Sequence, residues 1–328
     1  MRKSTYEPEC VLITGGAGFI GSHTAERLLS DGRAVVIVDN FDPFYSEKQK
    51  YANLRAIQKR GKIEFYEADI RDKNQIEKAF REQPIDAVIH MAARPGPRPS
   101  VGNAREYHDI NVVGTLNMLE LSAQAGVGNF IFAGSSSVYT DMPTPFHESA
   151  PADRPYSPYA ATKRACEMLA FTYSRLYSLP VASLRFFTVY GPRLRPDLMI
   201  HKFTRLIDSG QTLPIYGDGS AQRDYTYIDD IVSGVAAALS SPSPFEIYNL
   251  GNSKTIPLMR VVRLLERLIG KKANCRFLPV NPSDAPITYA DIGKAKAALG
   301  YNPTTSIEVG LEHFVKWYRQ SARQPDPK

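Results

Sequence analysis

Long apolar runs are missing from this sequence: no stretch of about 18 apolar residues occurs in its 328 positions, so no bilayer-spanning helix is expected. Cysteine is scarce. Cys10, Cys166 and Cys275 are odd in number, far apart and without metal-ligand spacing, which argues against a disulfide framework or a zinc site and suits a reducing compartment. Runs of five like charges are also absent, although 40 Lys and Arg against 34 Asp and Glu leave a formal charge of +6. A mild, dispersed excess with no basic stripe interleaved with aromatics argues against a nucleic-acid partner. Anionic small molecules call for the same arginines. No internal repeat of about 20–50 residues is visible. The first nine residues lead straight into an apolar strand, so no signal peptide is expected and the expected location is the cytoplasm.

What is present is a globular composition, 43% hydrophobic and 23% charged, in a length that fits about two domains. The first half alternates short apolar runs with segments of helical period. The runs 11–13, 34–38, 63–66, 87–89, 129–133 and 181–185 read as buried strands, and 22–30, 73–81, 115–124 and 159–177 read as helices. Strands alternating with helices predict an α/β fold whose parallel sheet is covered on both faces. Prolines crowd the last third, where helices at 258–269 and 307–319 stand out and a smaller, less regular substrate-binding unit is expected.

Behind the first strand lie Gly15, Gly18 and Gly21, spaced G-x-x-G-x-x-G, with Phe19 and Ile20 opening the next helix. A tight strand-to-helix turn needs glycine, and a side chain there would block a pyrophosphate from the helix N-terminus and its free N–H groups. Asp39 closes the second strand, where a carboxylate can accept both ribose hydroxyls of NAD and repels the additional phosphate of NADP. Asn40 follows it rather than arginine, so NAD is the expected cofactor. Asp69 and Ile70, after the third strand, fall where an adenine edge would be held; a turn or capping role fits Asp69 almost as well.

Tyr159 and Lys163 form Tyr-x-x-x-Lys on a helix opened by Pro158, and Ser135 ends the fifth strand. Positions i and i+4 share a helix face, so the ammonium is expected to lower the pKa of the phenol. A phenolate could then take a hydroxyl proton while hydride leaves the same carbon for NAD, with Ser135 orienting or relaying that proton.

Gly15 to Gly21, Asp39, His90-Met91-Ala92-Ala93, Ser135, the 159–163 motif, Arg185 to Pro192, Gly217-Asp218-Gly219, Arg223-Asp224 and Ala290-Asp291 resemble, as an ordered set, the extended short-chain dehydrogenase/reductase family. The resemblance spans almost the whole chain and is most similar to the nucleotide-sugar 4-epimerases that act on UDP-glucuronate, particularly through Arg195 to Phe203. It implies a Rossmann-type doubly wound parallel sheet, with a NAD-binding domain at 1–185 completed by part of 226–252. A smaller C-terminal α/β domain at 186–328 would bind the nucleoside diphosphate. It further implies NAD contacts from Ala92 and Ala93, pyrophosphate contacts from Arg195 and Arg223, and a uridine ribose contact from Asp284. Arg98 would face the substrate. A homodimer is implied, built on the helices 115–124 and 159–177 with apolar surface from Leu169, Ala170, Tyr173 and Leu176, although those side chains could equally face the sheet. The chain departs from the family pattern at Pro282-Ser283-Asp284-Ala285, where Pro-Gly-Asp-Val is usual.

Ser136 and Ser137 follow Ser135 where a dehydratase would need an acid/base pair and a decarboxylating relative a glutamate. With Thr188 they would supply short hydroxyl donors, whose hydrogen bonds to a sugar carboxylate are charge-assisted. Oxidising C4 of a uronate gives a β-keto acid, and a carboxylate held out of line with the carbonyl π-system resists loss of carbon dioxide. The serines could instead simply cap the strand. The expected activity is therefore NAD-dependent C4 epimerisation of UDP-glucuronate to UDP-galacturonate. UDP-glucose/UDP-galactose 4-epimerisation is the alternative, and an inactive NAD-sensing regulator on the same fold a more distant one.

Overall fold

The computed structural model describes residues 6–139, 141–280 and 285–322. Seven parallel strands form the central sheet in the order β10-β6-β5-β4-β1-β2-β3. They are β1 (Cys10–Thr14), β2 (Ala34–Asp39), β3 (Ile63–Glu67), β4 (Ala87–His90), β5 (Asn129–Ser135), β6 (Val181–Phe186) and β10 (Phe245–Leu250). The chain moves outward from β1 to β3, then crosses back to place β4 on the other side of β1. That reversal leaves a crevice at the carboxyl ends of the strands, where ligands of open α/β sheets bind.

The middle of the sheet is buried on both faces, which is why β1, β2 and β4 are apolar at almost every position rather than at alternate ones. Val11 and Ile13 join one core cluster, Cys10 and Leu12 the other. Helices α1 (Phe19–Ser30) and α2 (Glu47–Gln58) cover the first face. On the second lie α3 (Lys73–Glu82) and, after two short turns, α4 (Pro97–Ser100) and α5 (Ala104–Tyr107), the long helices α6 (Gly114–Gln124) and α7 (Pro158–Tyr177). A π-helical stretch, His108–Val113, joins α5 to α6. Helix α7 starts where Pro158 occupies the first turn and the Ser157 hydroxyl accepts from the Ala160 N–H at 3.2 Å. It stops at Ser178, whose φ of 55° is left-handed.

The last third is richer than the two helices read from the sequence. Strands β7 (Thr188–Tyr190), β9 (Gln222–Tyr227) and β11 (Thr255–Pro257) make one small sheet, β8 (Thr212–Tyr216) and β12 (Asn274–Leu278) another. Around them lie α8 (Met199–Asp208), α10 (Leu258–Ile269), α11 (Gly293–Leu299) and α12 (Ile307–Ala322). Between β9 and β10 runs α9 (Ile228–Leu239), which returns to pack beside α1 on the central sheet. Of the four residues offered for a dimer surface, three take the alternative of facing the sheet and Leu176 is exposed. Ala170 is fully buried and Leu169 and Tyr173 pack against the core, while Met168, Phe171 and Leu176 are 55%, 49% and 69% exposed.

Candidate active site

One cleft opens along the carboxyl ends of the central strands. It gathers Gly15, Gly18, Phe19, Ile20, Gly21, Asp39, Asn40, Asp69, Ile70, Ala92 and Ala93 at one end, and Ser135, Ser136, Ser137, Tyr159, Lys163, Thr188 and Arg195 at the other. Two expected residues do not line it. Arg98 lies outside, its guanidinium 4.3 Å over the Tyr216 ring, and Arg223 donates to the carbonyls of Gln222 and Pro286 at 2.8 and 3.3 Å. Asp284 lies outside the described residues. The arginine of the 94–98 loop that does face the cleft is Arg94, held by Asp42 at 2.6 Å and by Glu106. No spacing rule pointed to it, because its partners come from the segment after β2 and from α5.

The glycine turn is shaped by close approach. Gly15 has φ of +66°, and a Cβ there would meet the Ala92 backbone at 2.8 and 2.9 Å. A Cβ on Gly21 would collide with the Gly15 carbonyl. Gly18 is the N-cap of α1 and supplies no side chain to its amides. The first turn of that helix therefore presents N–H groups and a partial positive charge to the cleft. Asp39 fixes the loop: its Oδ2 accepts from the Ala17 N–H at 3.0 Å and its Oδ1 from the Phe41 N–H at 2.9 Å. Burial pushes its pKa up, against Lys50 and these two amides. The Asn40 amide donates to Asp69 at 2.9 Å, and Arg71 holds the same carboxylate, keeping it below the usual carboxylate range.

At the other end, Tyr159 and Ser135 both line the cleft. The expected effect of lysine on the phenol is not what the geometry gives. Lys163 turns its Nζ to the Ala133 carbonyl at 2.9 Å and lies 5.0 Å over the Phe132 ring. Burial raises the Tyr159 pKa, and the groups that pull it down are Ser135 and the Arg195 guanidinium. Burial likewise depresses Lys163, to about 8. Arg195 is held in a bidentate pair with Asp197 at 3.0 and 2.9 Å. Beneath the Ala92 turn, buried His90 shares hydrogen bonds with Thr14 at 2.7 Å and Thr115 at 3.0 Å, and desolvation drops its pKa to about 3. Its imidazole is neutral and structural. The π-helical Asn111 ties the site together. Its amide donates to Arg94 O at 3.1 Å and to Thr162 Oγ1 at 3.0 Å, one residue before Lys163.

A profile of the NAD dependent epimerase/dehydratase family matches residues 11–251, and the chain belongs to that family. It is 44% identical over 311 residues to a UDP-glucuronate 4-epimerase of Thermodesulfobacterium geofontis, covering 94% of this chain and 96% of that one. Among solved structures it is similar to the UDP-glucuronic acid 4-epimerase of Bacillus cereus, crystallised with UDP-glucuronic acid and NAD. The TM-score is 0.90 at 35% identity, over 95% of this chain and 99% of that one. The UDP-glucose 4-epimerase of Thermus thermophilus, in complex with NAD, gives a TM-score of 0.84 at 31% identity, over 94% and 99%. The residues present fit NAD: the glycine cradle would be filled by any Cβ, and α1 aims uncapped amides into it.

Proposed function

We infer that this protein inverts C4 of UDP-glucuronate to give UDP-galacturonate through a 4-keto sugar. The observation that carries this is the company kept by the Ser135–Tyr159 pair. Three short hydroxyl side chains, Ser136, Ser137 and Thr188, line the same end of the cleft, and the carboxylates that line it among the described residues are Asp39 at the end of β2, Asp42 just after it and Asp69 after β3. Hydroxyl donors suit a sugar carboxylate. Without an acid beside Ser135, elimination of water across C5 and C6 lacks its general acid/base, and the keto acid lacks a proton donor that would promote decarboxylation.

Bound NAD supplies a hydride acceptor at C4 that returns the hydride to the opposite face, so no net oxidation occurs. The protein's part is to hold the 4-hydroxyl against Tyr159, with Ser135 orienting the proton in transit. Ser135 and Arg195 bring the phenol toward the ionised form. Gly15, Gly18 and Gly21, with Asp39, hold the dinucleotide. Arg195 faces the substrate diphosphate, and residues 186–328 form that half of the site. The keto sugar turns about its diphosphate between the two hydride transfers.

The protein is further proposed to be a cytoplasmic homodimer. Among the described residues no helix is long and apolar enough to cross a membrane, and Met168, Phe171 and Leu176 on α7 offer an apolar face to a second copy.

The deciding experiment is to incubate the purified protein with UDP-glucuronate, without added NAD, and to identify the products by chromatography. Interconversion of the two uronates is expected. A pentose product, an accumulating 4-keto sugar, or turnover of UDP-galactose with no turnover of the uronate would overturn the assignment.

A further inference from the structure

The three hydroxyl side chains that line the substrate end of the cleft come from two separate segments. Ser136 and Ser137 belong to the 3₁₀ turn Ser136–Tyr139 that follows β5, and Thr188 begins β7. The distance between the segments is set by what lies behind them. Tyr139 ends the turn as one of the largest fully buried side chains of the fold, and Phe187, the residue before Thr188, is buried as well. The Tyr139 ring stacks on Phe146 at 5.0 Å and stands 6.5 Å from Phe187, which lies 6.3 Å from Phe146. The rings form one wall behind both sets of hydroxyls, and close packing transmits any shift of one ring to the others.

A buried hydrogen-bond network fixes the direction of that wall. The Tyr139 hydroxyl donates to Asn249 Oδ1 on β10 at 2.7 Å. Both N–H groups of the same amide are committed, to the Phe146 carbonyl at 2.8 Å and the Asp291 carbonyl at 3.0 Å, so its oxygen is the atom left to accept. The Asn249 backbone N–H donates to Glu148 at 2.8 Å. The Arg185 guanidinium lies 4.6 Å over the Tyr139 ring and is held in turn by Glu167 on α7, the helix that carries Tyr159. Burial pushes the Tyr139 phenol up to about 12, so it stays a neutral donor. One phenol thus joins the serine turn, the Phe187–Thr188 segment, the C-terminal unit and α7. Its consequence lies in the 4-keto uronate. When the C5–C6 bond aligns with the carbonyl π-system, that bond breaks, carbon dioxide leaves and the electron pair forms a C4–C5 enolate with its charge on the C4 oxygen. A proton from water then closes C5, and return of hydride to C4 leaves a pentose. Misplacement of a positioning group by a fraction of an ångström is enough to change such an alignment.

We propose that Tyr139 is a positioning residue for product fidelity: through its hydrogen bond to Asn249 and its packing against Phe146 and Phe187, it fixes Ser136, Ser137 and Thr188 relative to one another and so keeps the sugar carboxylate out of line with the C4 carbonyl. The proposal rests on the uronate epimerase reading and adds to it a residue outside the lining of the cleft.

The test uses two variants of the wall and one control. Tyr139→Phe keeps the ring and loses the hydroxyl, and Phe146→Leu removes the stacked ring. Tyr6→Phe loses a bond of the same kind, from the Tyr6 hydroxyl to the Asp86 carbonyl at 2.7 Å, just before β4 at the amino ends of the strands. Each protein is given UDP-glucuronate labelled in its carboxyl group, and labelled carbon dioxide is counted against total turnover, alongside kcat, KM and the thermal midpoint. The wild type should interconvert the two uronates. Tyr139→Phe should raise the share of turnovers that release carbon dioxide by at least about fivefold, the scale of one lost hydrogen bond, and Phe146→Leu should raise it too. Tyr6→Phe should lower the midpoint and leave that share at the wild-type level. An unchanged share in Tyr139→Phe or in Phe146→Leu would overturn the proposal and leave the epimerase reading standing. So would an equal rise in Tyr6→Phe, which would trace the leak to lost stability. A wild type that leaves the uronate untouched would overturn both.

Discussion

The Glu167 carboxylate accepts two hydrogen bonds from the Arg185 guanidinium, at 2.8 and 2.7 Å, with both side chains fully buried between α7 and β6. Glu167 also accepts from Ser183 at 3.2 Å and Arg164 at 3.0 Å, and it lies one turn beyond Lys163 on the same helix. The pair therefore fixes α7, with its Tyr159 and Lys163, against the strands next to Ser135.

Removing one partner leaves an uncompensated buried charge, whereas removing both does not. Glu167→Gln is expected to destabilise the protein by about 3–5 kcal/mol. The double variant Glu167→Leu with Arg185→Met should cost less than that single change. Urea unfolding midpoints decide the matter, and a double variant less stable than Glu167→Gln would refute this account of the pair.

Much of the sheet and of the catalytic end was legible in the sequence because each piece is local. β1 and Gly15 to Gly21 are contiguous, and Tyr159 and Lys163 share one helix face. Strand β10 and helix α2 were harder to read. β10 carries Glu246 and Asn249 among its apolar residues, and α2 is mostly charged or amide, with Lys50 and Asn53 buried in it. Arg94 and Tyr139 were illegible for another reason: their side-chain hydrogen-bond partners lie more than ten positions away, which is not a pattern along the chain. Lys163 misled in the opposite sense. Its spacing from Tyr159 places it in the cleft, yet one of its three N–H donors goes to the Ala133 carbonyl, a contact no spacing rule shows.

Tyr159→Phe removes the proton acceptor while keeping the ring that packs edge-on to Tyr107 at 6.3 Å. Turnover should fall by at least about 10²-fold, the scale of lost general-base catalysis, with nucleotide content unchanged. Steady-state kinetics together with the NAD released on denaturation would check both halves. Near-wild-type turnover would rule out Tyr159 as the base.

His23 donates from Nε2 to the Pro192 carbonyl at 3.0 Å, linking α1 to the segment after β7, and burial and Arg193 depress its pKa to about 4. Its unfolded value is near 6.5, so the unfolded chain binds the proton more tightly. The stabilisation is therefore complete above pH 6.5 and is lost as pH falls through 6.5 toward 4. By pH 5 the loss amounts to roughly 2 kcal/mol. His23→Gln keeps a donor for Pro192 and does not titrate. Its stability should change less than that of the wild type between pH 7 and pH 5, and parallel curves from urea unfolding would contradict this.

Thr188 begins β7 and lines the cleft with Ser136 and Ser137. If these hydroxyls hold a sugar carboxylate, each contributes a hydrogen bond to a charged group, worth about 1.5–3 kcal/mol, whereas a hydroxymethyl group would gain about 0.5–1.5 kcal/mol. Thr188→Val removes one donor at nearly constant shape. Its kcat/KM for UDP-glucuronate should fall by about 10–100-fold, and for UDP-glucose by no more than about tenfold. The loosened carboxylate should also reach alignment with the C4 carbonyl more often, so the variant should release a larger fraction of its product as the decarboxylated pentose. Kinetics on both substrates and chromatography of the products test the two effects separately. Equal losses on both sugars, with no pentose formed, would mean that the hydroxyl serves the strand end and not the carboxylate.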